Sequence, residues 1–166
     1  MALFRRRSLP ADRRPLLSRD ERVVAFALPV VVTNLGLWLP DRPSRVGWHE
    51  VHKAVWTGRE LSVVPAEPVA ELPEYTVVAD APAVTVALDD PDRVPEQVRT
   101  RVNRSIAYSE HHRLPDGRGV RVVARRVPGL NGLHWTVRYD PPGLSDPDPA
   151  VAELVAVARA GLPGPV

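Results

Sequence analysis

Arg22-Val-Val-Ala-Phe-Ala-Leu28, broken at Pro29 and resumed as Val30-Val-Val-Thr33, Asn34-Leu-Gly36 and Leu37-Trp-Leu39, is the stretch on which the fold turns. Its β-branched and aromatic content favours strands over helix, and turn residues bound each run. A tight connection at Pro29 makes the first two runs a hairpin, and Pro40-Asp-Arg-Pro43 ends the series with turn chemistry.

Outward from that run the pattern continues. In Val46-Gly-Trp48-His-Glu-Val51 the apolar alternation slips by one residue, as a bulge or a turn between two strands would make it do. Thr57-Gly58-Arg-Glu60 is a turn, and Leu61-Ser-Val63-Val64 reads as a fourth short strand, completing a meander. Pro65 to Pro82 is rich in prolines and acids, and is expected to be a surface loop with one edge strand at Tyr75 to Val78. Val84 to Leu88 resumes strand alternation. Asp89-Asp90-Pro91-Asp92 then offers N-cap chemistry, and Val94, Val98, Val102 and Ile106 recur every four residues, which predicts a helix with one buried face.

Pro115-Asp-Gly117-Arg-Gly119 is a turn, and Val120 to Val127 and Leu133 to Tyr139 flank a five-residue loop containing two glycines, which predicts a second hairpin. On it Val120, Val122 and Ala124 share a face with Trp135, Val137 and Tyr139, and the opposite face carries Arg121, Arg125, Thr136 and Arg138. Pro141-Pro-Gly143 stops the strand. Asp146 or Asp148 caps a last amphipathic helix through Val151, Leu154, Val155 and Ala158. Upstream, residues 1–20 lack periodicity and read as a mobile basic tail. Leu3 and Phe4 beside Arg5, Arg6 and Arg7 make a tip too short to anchor on lipid, so a solvated tail is the favoured reading.

Composition bounds the function. The chain has 166 residues, enough for one domain, with an ordinary 44% apolar and 25% charged content. Without cysteine there is no disulfide framework and no thiolate metal site, which fits a reducing, cytoplasmic setting. The apolar run Val23 to Thr33 is too short to span a bilayer as a helix. Net charge is only +2 but segregated: residues 1–22 hold seven Arg against three acids, 60–98 nine acids against one Arg, and 99–126 eight Arg against two acids.

Val30-Val-Val-Thr33-Asn34-Leu-Gly36-Leu37-Trp38-Leu39, Val46-Gly-Trp48-His-Glu-Val51 and Gly58-Arg-Glu-Leu61-Ser-Val63 together resemble a bacterial pleckstrin-homology-like, or GRAM-like, domain over roughly Glu21 to Tyr108. The resemblance implies an α+β fold: an antiparallel curled sheet or partial barrel with a capping helix over 21–110. To this the sequence adds a β-hairpin and terminal helix, 111–166, packed on the same domain. Gly36, where a basic residue is common, and the acidic insert after Val64 depart from the family pattern. The loop Ala27-Leu28-Pro29-Val30 has no Lys or Arg to meet phosphate, so phosphoinositide binding is not implied. Taken whole, the chain is similar to a conserved protein of actinobacteria, a similarity that implies no activity.

Catalytic and metal motifs are missing. His49-Glu50-Val51-His52 is one residue short of the zincin spacing, and on a strand positions 49 and 52 point to opposite faces. His111-His112 reads as the C-terminal cap of the preceding helix. There is no Gly-x-Ser-x-Gly elbow and no phosphate-cradling glycine loop, so neither an enzyme nor a cofactor is expected. Trp38, Trp48, Trp56 and Trp135 read as packing residues. The candidate partner site is the arginine group Arg99, Arg101, Arg104, Arg113, Arg121, Arg125, Arg126 and Arg138. Gathered on one surface, these guanidiniums would serve a protein partner first and nucleic acid second, since no aromatics interleave with them for base stacking. Nothing in the chain fixes an oligomeric state.

Overall fold

β1 (Val23–Ala27) and β2 (Val30–Thr33) form the expected hairpin, with Ala27 opposite Val30. β3 (Gly36–Trp38) and β4 (Val46–Gly47) extend it into a four-stranded antiparallel sheet. Gly36 is needed there because a Cβ would collide with the Val46 carbonyl. The alternation slip resolves as a single 3-10 turn, Trp48–Glu50, which leads into β5 (Val51–Trp56). The computed structural model describes residues 7–142 and 147–162. Leu3 to Arg6 of the tail, Gly143 and the candidate cap Asp146 lie outside the described residues.

A second sheet holds seven strands. β6 (Glu60–Glu71) pairs with β5 and with β8 (Val84–Ala87) through its first half and with β7 (Thr76–Asp80) through its second. β7 runs parallel to β11 (Leu133–Asp140), which pairs with β10 (Gly119–Arg126), which pairs with β9 (Ile106–Arg113). The result is a mixed α+β protein with a curled half-barrel sheet. α1 (Val94–Ser105) buries Val94, Val98 and Val102 against the front strands, in a core with Val30, Leu37 and Val63. α2 (Pro149–Gly161) buries Val151, Val155 and Ala158 against Val120, Val122, Trp135 and Val137 in a second core. Asp148 caps α2, its carboxylate accepting the Ala150 N–H at 2.9 Å. No helix among the described residues is long and apolar enough to cross a membrane.

Several expectations need correction. Pro65 to Pro82 is no surface loop: β6 continues to Glu71, and Tyr75, Val77 and Val78 are buried, with β7 paired on both sides rather than at an edge. Ile106 is the first residue of β9 and half-buried, because Ser105 ends the helix. His111 and His112 lie within that strand and cap nothing, and the boundary drawn at residue 110 falls inside it. The N-cap of α1 is Arg93, without a side-chain bond, while Asp90 pairs instead with Arg7 at 3.1 Å. Within the tail, Leu9 is buried against Phe26 and Val31.

Glu21 ties the entry of β1 to its sheet. Its buried carboxylate accepts from Thr33 Oγ1 (2.7 Å), Trp38 Nε1 (3.0 Å), Arg45 Nη1 (2.6 Å) and the Ser18 N–H (3.1 Å). Burial alone would raise this carboxyl. The bonds from Thr33, Ser18 and Trp38 and the charge of Arg45 outweigh it and hold the group below its ordinary range. Such a group contributes stability that is complete above its unfolded value and lost as pH falls through the lower folded one. Glu21→Gln is expected to cost about 2–3 kcal/mol at neutral pH and to flatten the loss of stability on acidification. Urea denaturation across the acid range checks this, and an acid limb unchanged in the variant would refute it.

Candidate functional site

Strict alternation along β10 and β11 sorts their side chains onto two faces. The apolar face meets α2, and the other turns into the concavity of the curled sheet. Register pairs Arg125 with His134, Val123 with Thr136, and Arg121 with Arg138, so the concave face carries two cationic rows. Their centres lie about 13 Å apart along the strand, four residues at the extended rise. Val123 and Thr136 separate them. From the opposite side the Trp48–Glu50 turn and the start of β5 contribute His49, Glu50 and His52, while β6 and β7 supply Pro68, Glu71 and Val78. Together they enclose a groove of about 250 Å³.

His49 and His52 both line this groove. The expectation that they face apart assumed a continuous strand; the 3-10 turn changes the parity and brings both rings inward.

At one end Arg125 is only 6% exposed. Its Nη1 donates to Ser105 Oγ at 2.9 Å, and no carboxylate of the described residues lies within 4.0 Å of Arg125 or Arg121. Burial pulls the Arg125 guanidinium below its ordinary value, yet a guanidinium stays protonated at any physiological pH. Across the groove the rings of His49 and His134 stand edge to face, centroids 6.0 Å apart at 82°. His49 Nδ1 is buried without a hydrogen-bond partner among the described residues. Burial lowers the pKa of His49; Glu50 partly offsets this, and the charges of His134, Arg125 and Arg45 deepen it.

At the other end the cationic row is compensated. Asp80 Oδ1 accepts from Arg138 Nη1 at 2.8 Å and lies 2.7 Å from His52 Nδ1. Burial alone would raise Asp80, but bonds from His52 and Arg138 and their charges hold it below the usual carboxylate range. Burial likewise depresses His52, against the raising influence of Asp80. Here the groove meets a second depression of about 420 Å³ that shares Arg121 and Arg138.

The eight arginines expected to act together are divided. Arg121, Arg125 and Arg138 line the groove. Arg101 lies on a separate open depression with Arg7, Arg14, Arg22 and Arg93. Arg99 and Arg104 are exposed on α1 and Arg113 is exposed at the end of β9. Arg126 is also exposed, and its Nη1 donates to the Arg104 and Ile106 carbonyls at 2.9 and 3.0 Å. Sequence reasoning missed His49, His52, His134 and Asp80. His134 was findable, since hairpin alternation puts it on the face of Thr136 and Arg138. The others depend on the turn at Trp48 and on β7 being an interior strand.

Among the described residues no group of three or more His, Asp or Glu is placed to hold a metal ion. Comparison of the chain with protein-family models, curated proteins and solved structures finds no match. The chemistry the groove itself offers is donation to anions from Arg125, Arg121 and the imidazoles. Its internal electrostatics can be checked directly. Asp80→Asn removes the one charge that raises His52 and leaves Arg138 uncompensated, so the His52 ring should titrate at a still lower pH by NMR. A midpoint that stays put or rises contradicts the arrangement.

Proposed function

We propose that the chain is a non-catalytic, cytoplasmic bacterial interaction module that receives an acidic segment of a protein partner along the groove of β10 and β11. Its front half is read as a pleckstrin-homology-like unit, a reading supported by the β1–β4 meander, the β5–β6 pair and the packing of α1 over them. The observation that carries the function is Arg125. Withdrawing a guanidinium from water costs several kcal/mol unless a counter-charge repays it, and among the described residues Arg125 donates only to the Ser105 hydroxyl. A side chain that lowers stability yet opens onto a groove beside two imidazoles has its best account in an external anion. Two cationic rows about 13 Å apart suit an extended acidic chain, whose alternate side chains project to one side.

This reading makes stability and binding move in opposite directions. Arg125→Met should raise stability by on the order of 1 kcal/mol, since replacing a poorly compensated buried charge by an apolar chain of similar length is commonly favourable. The same variant should weaken binding of an extended peptide with glutamate at alternate positions about tenfold or more, measured by fluorescence anisotropy. Unchanged affinity, or a large loss of stability, would show Arg125 to be a structural residue.

Nucleic-acid binding is the second reading. It is favoured by the open depression of about 970 Å³ where Arg7, Arg14, Arg22, Arg93 and Arg101 meet. Burial first, and then the charges of Arg104 and Arg22, depress the Arg101 pKa. Binding to mixed-sequence DNA or RNA that falls steeply with salt is the expected sign, and no detectable binding at low salt removes this reading.

A further inference from the structure

We infer that the Arg125 end of the groove is a subsite for a phosphoryl group, held by Arg125, His134 and His49. This deepens the proposed function and rests on it: the acidic segment would carry its phosphoryl group at this end, and the Arg121–Arg138 row would meet a second acid farther along.

Two observations favour a phosphoryl group over a carboxylate. The first is direction. Arg125 and His134 rise from the sheet as a cross-strand pair, whereas His49 comes from the facing turn with its ring at 82° to that of His134. A carboxylate offers lone pairs in a single plane and matches one guanidinium edge. A tetrahedral ion offers oxygens in three directions at once and can accept from all three residues. The second is charge. Arg125 is a fixed cation with no carboxylate of the described residues within 4.0 Å. A phosphate monoester, with about 1.5 to 2 negative charges near neutral pH, is drawn to it more strongly than a single carboxylate is.

The charged groups facing the subsite are not all favourable. Glu50 lies on the groove wall and opposes an anion, but its Oε2 accepts the Gly47 N–H at 2.8 Å, which draws the carboxylate toward the turn backbone. Glu71 lines the groove from β6, and Asp80 is already engaged by Arg138 and His52. Arg45 is paired with Glu21 at 2.6 Å and adds only its field. Arg125, His134 and His49 therefore stand without a carboxylate partner among the described residues, and they are the groups available to an incoming phosphoryl group.

The test uses the full chain and three probes: inorganic phosphate, an alternating-glutamate peptide, and the same peptide with one glutamate replaced by phosphoserine. Calorimetry is expected to show the phosphoserine peptide binding about tenfold tighter than its glutamate counterpart. That advantage should vanish in Arg125→Met and shrink in His134→Gln, a second variant at a half-buried position that leaves the Arg125 environment otherwise intact. Saturable binding of inorganic phosphate tighter than that of either peptide, lost in the same variants, supports the subsite and identifies free phosphate as the source. Equal affinity for the two peptides, with no saturable phosphate binding, overturns the subsite while leaving the acidic-segment reading standing. Failure of both peptides and of phosphate overturns both.

Discussion

One strand holds this molecule together. β6 stays extended for twelve residues, and in that span it changes partners, from β5 and β8 to β7. Leu61 and Val63 belong to the core under α1, and Ala70 packs on the core under α2. The two halves thus share a continuous backbone, and the curl of that backbone sets the distance between the Trp48 turn and the concave face of β10 and β11. Pro65 and Pro68 lack the donor that a ladder paired on both flanks would require, and they fall where the strand tolerates it. Pro65 sits at the exchange of neighbours, opposite Val51, and a register shift follows Pro68. The prolines mark the joint at which one strand passes from one set of neighbours to another within its sheet.

That placement explains what could and could not be read from residues alone. Period-two alternation made the front meander and the C-terminal hairpin legible, down to the face shared by Val120, Val122, Ala124, Trp135, Val137 and Tyr139, because each side of those strands meets a different environment. The fourfold recurrence of Val94, Val98 and Val102 made α1 legible for the same reason. Pro65 to Pro82 was illegible because proline and acid density describe local preference, whereas β7 is held by pairing with β6 and, across more than fifty residues, with β11. The strand at 106–113 was hidden by a helical register that carries one residue too far. Ile106 fits the helix period but is claimed by the sheet through β10.

The site shows the same division. Arg121, Arg125, Thr136 and Arg138 were visible as one face of a hairpin, since only local alternation was needed. Their separation from Arg99, Arg101 and Arg104 was not, because it depends on which side of the sheet α1 packs. Strand parity sets His49 and His52 on opposite faces, and three residues of 3-10 turn reverse it. A motif just short of a metal spacing thereby became part of a cationic groove, a change of chemistry produced by backbone geometry without any change of residue.

The two ends of the groove illustrate how context decides the use of an arginine. Arg138 and Arg125 lie on adjacent strands of one sheet and point into one concavity, yet Arg138 donates to Asp80, which His52 also engages, and Arg125 donates to a serine hydroxyl. A compensated guanidinium contributes orientation and little net attraction, because its field is cancelled close by. An uncompensated one keeps its field, strengthened by the low dielectric that also makes it costly to bury. The same burial that penalises Arg125 in the folded chain therefore raises the value of any anion that reaches it. Selection for stability alone would replace such a residue, whereas selection for recognition would keep it.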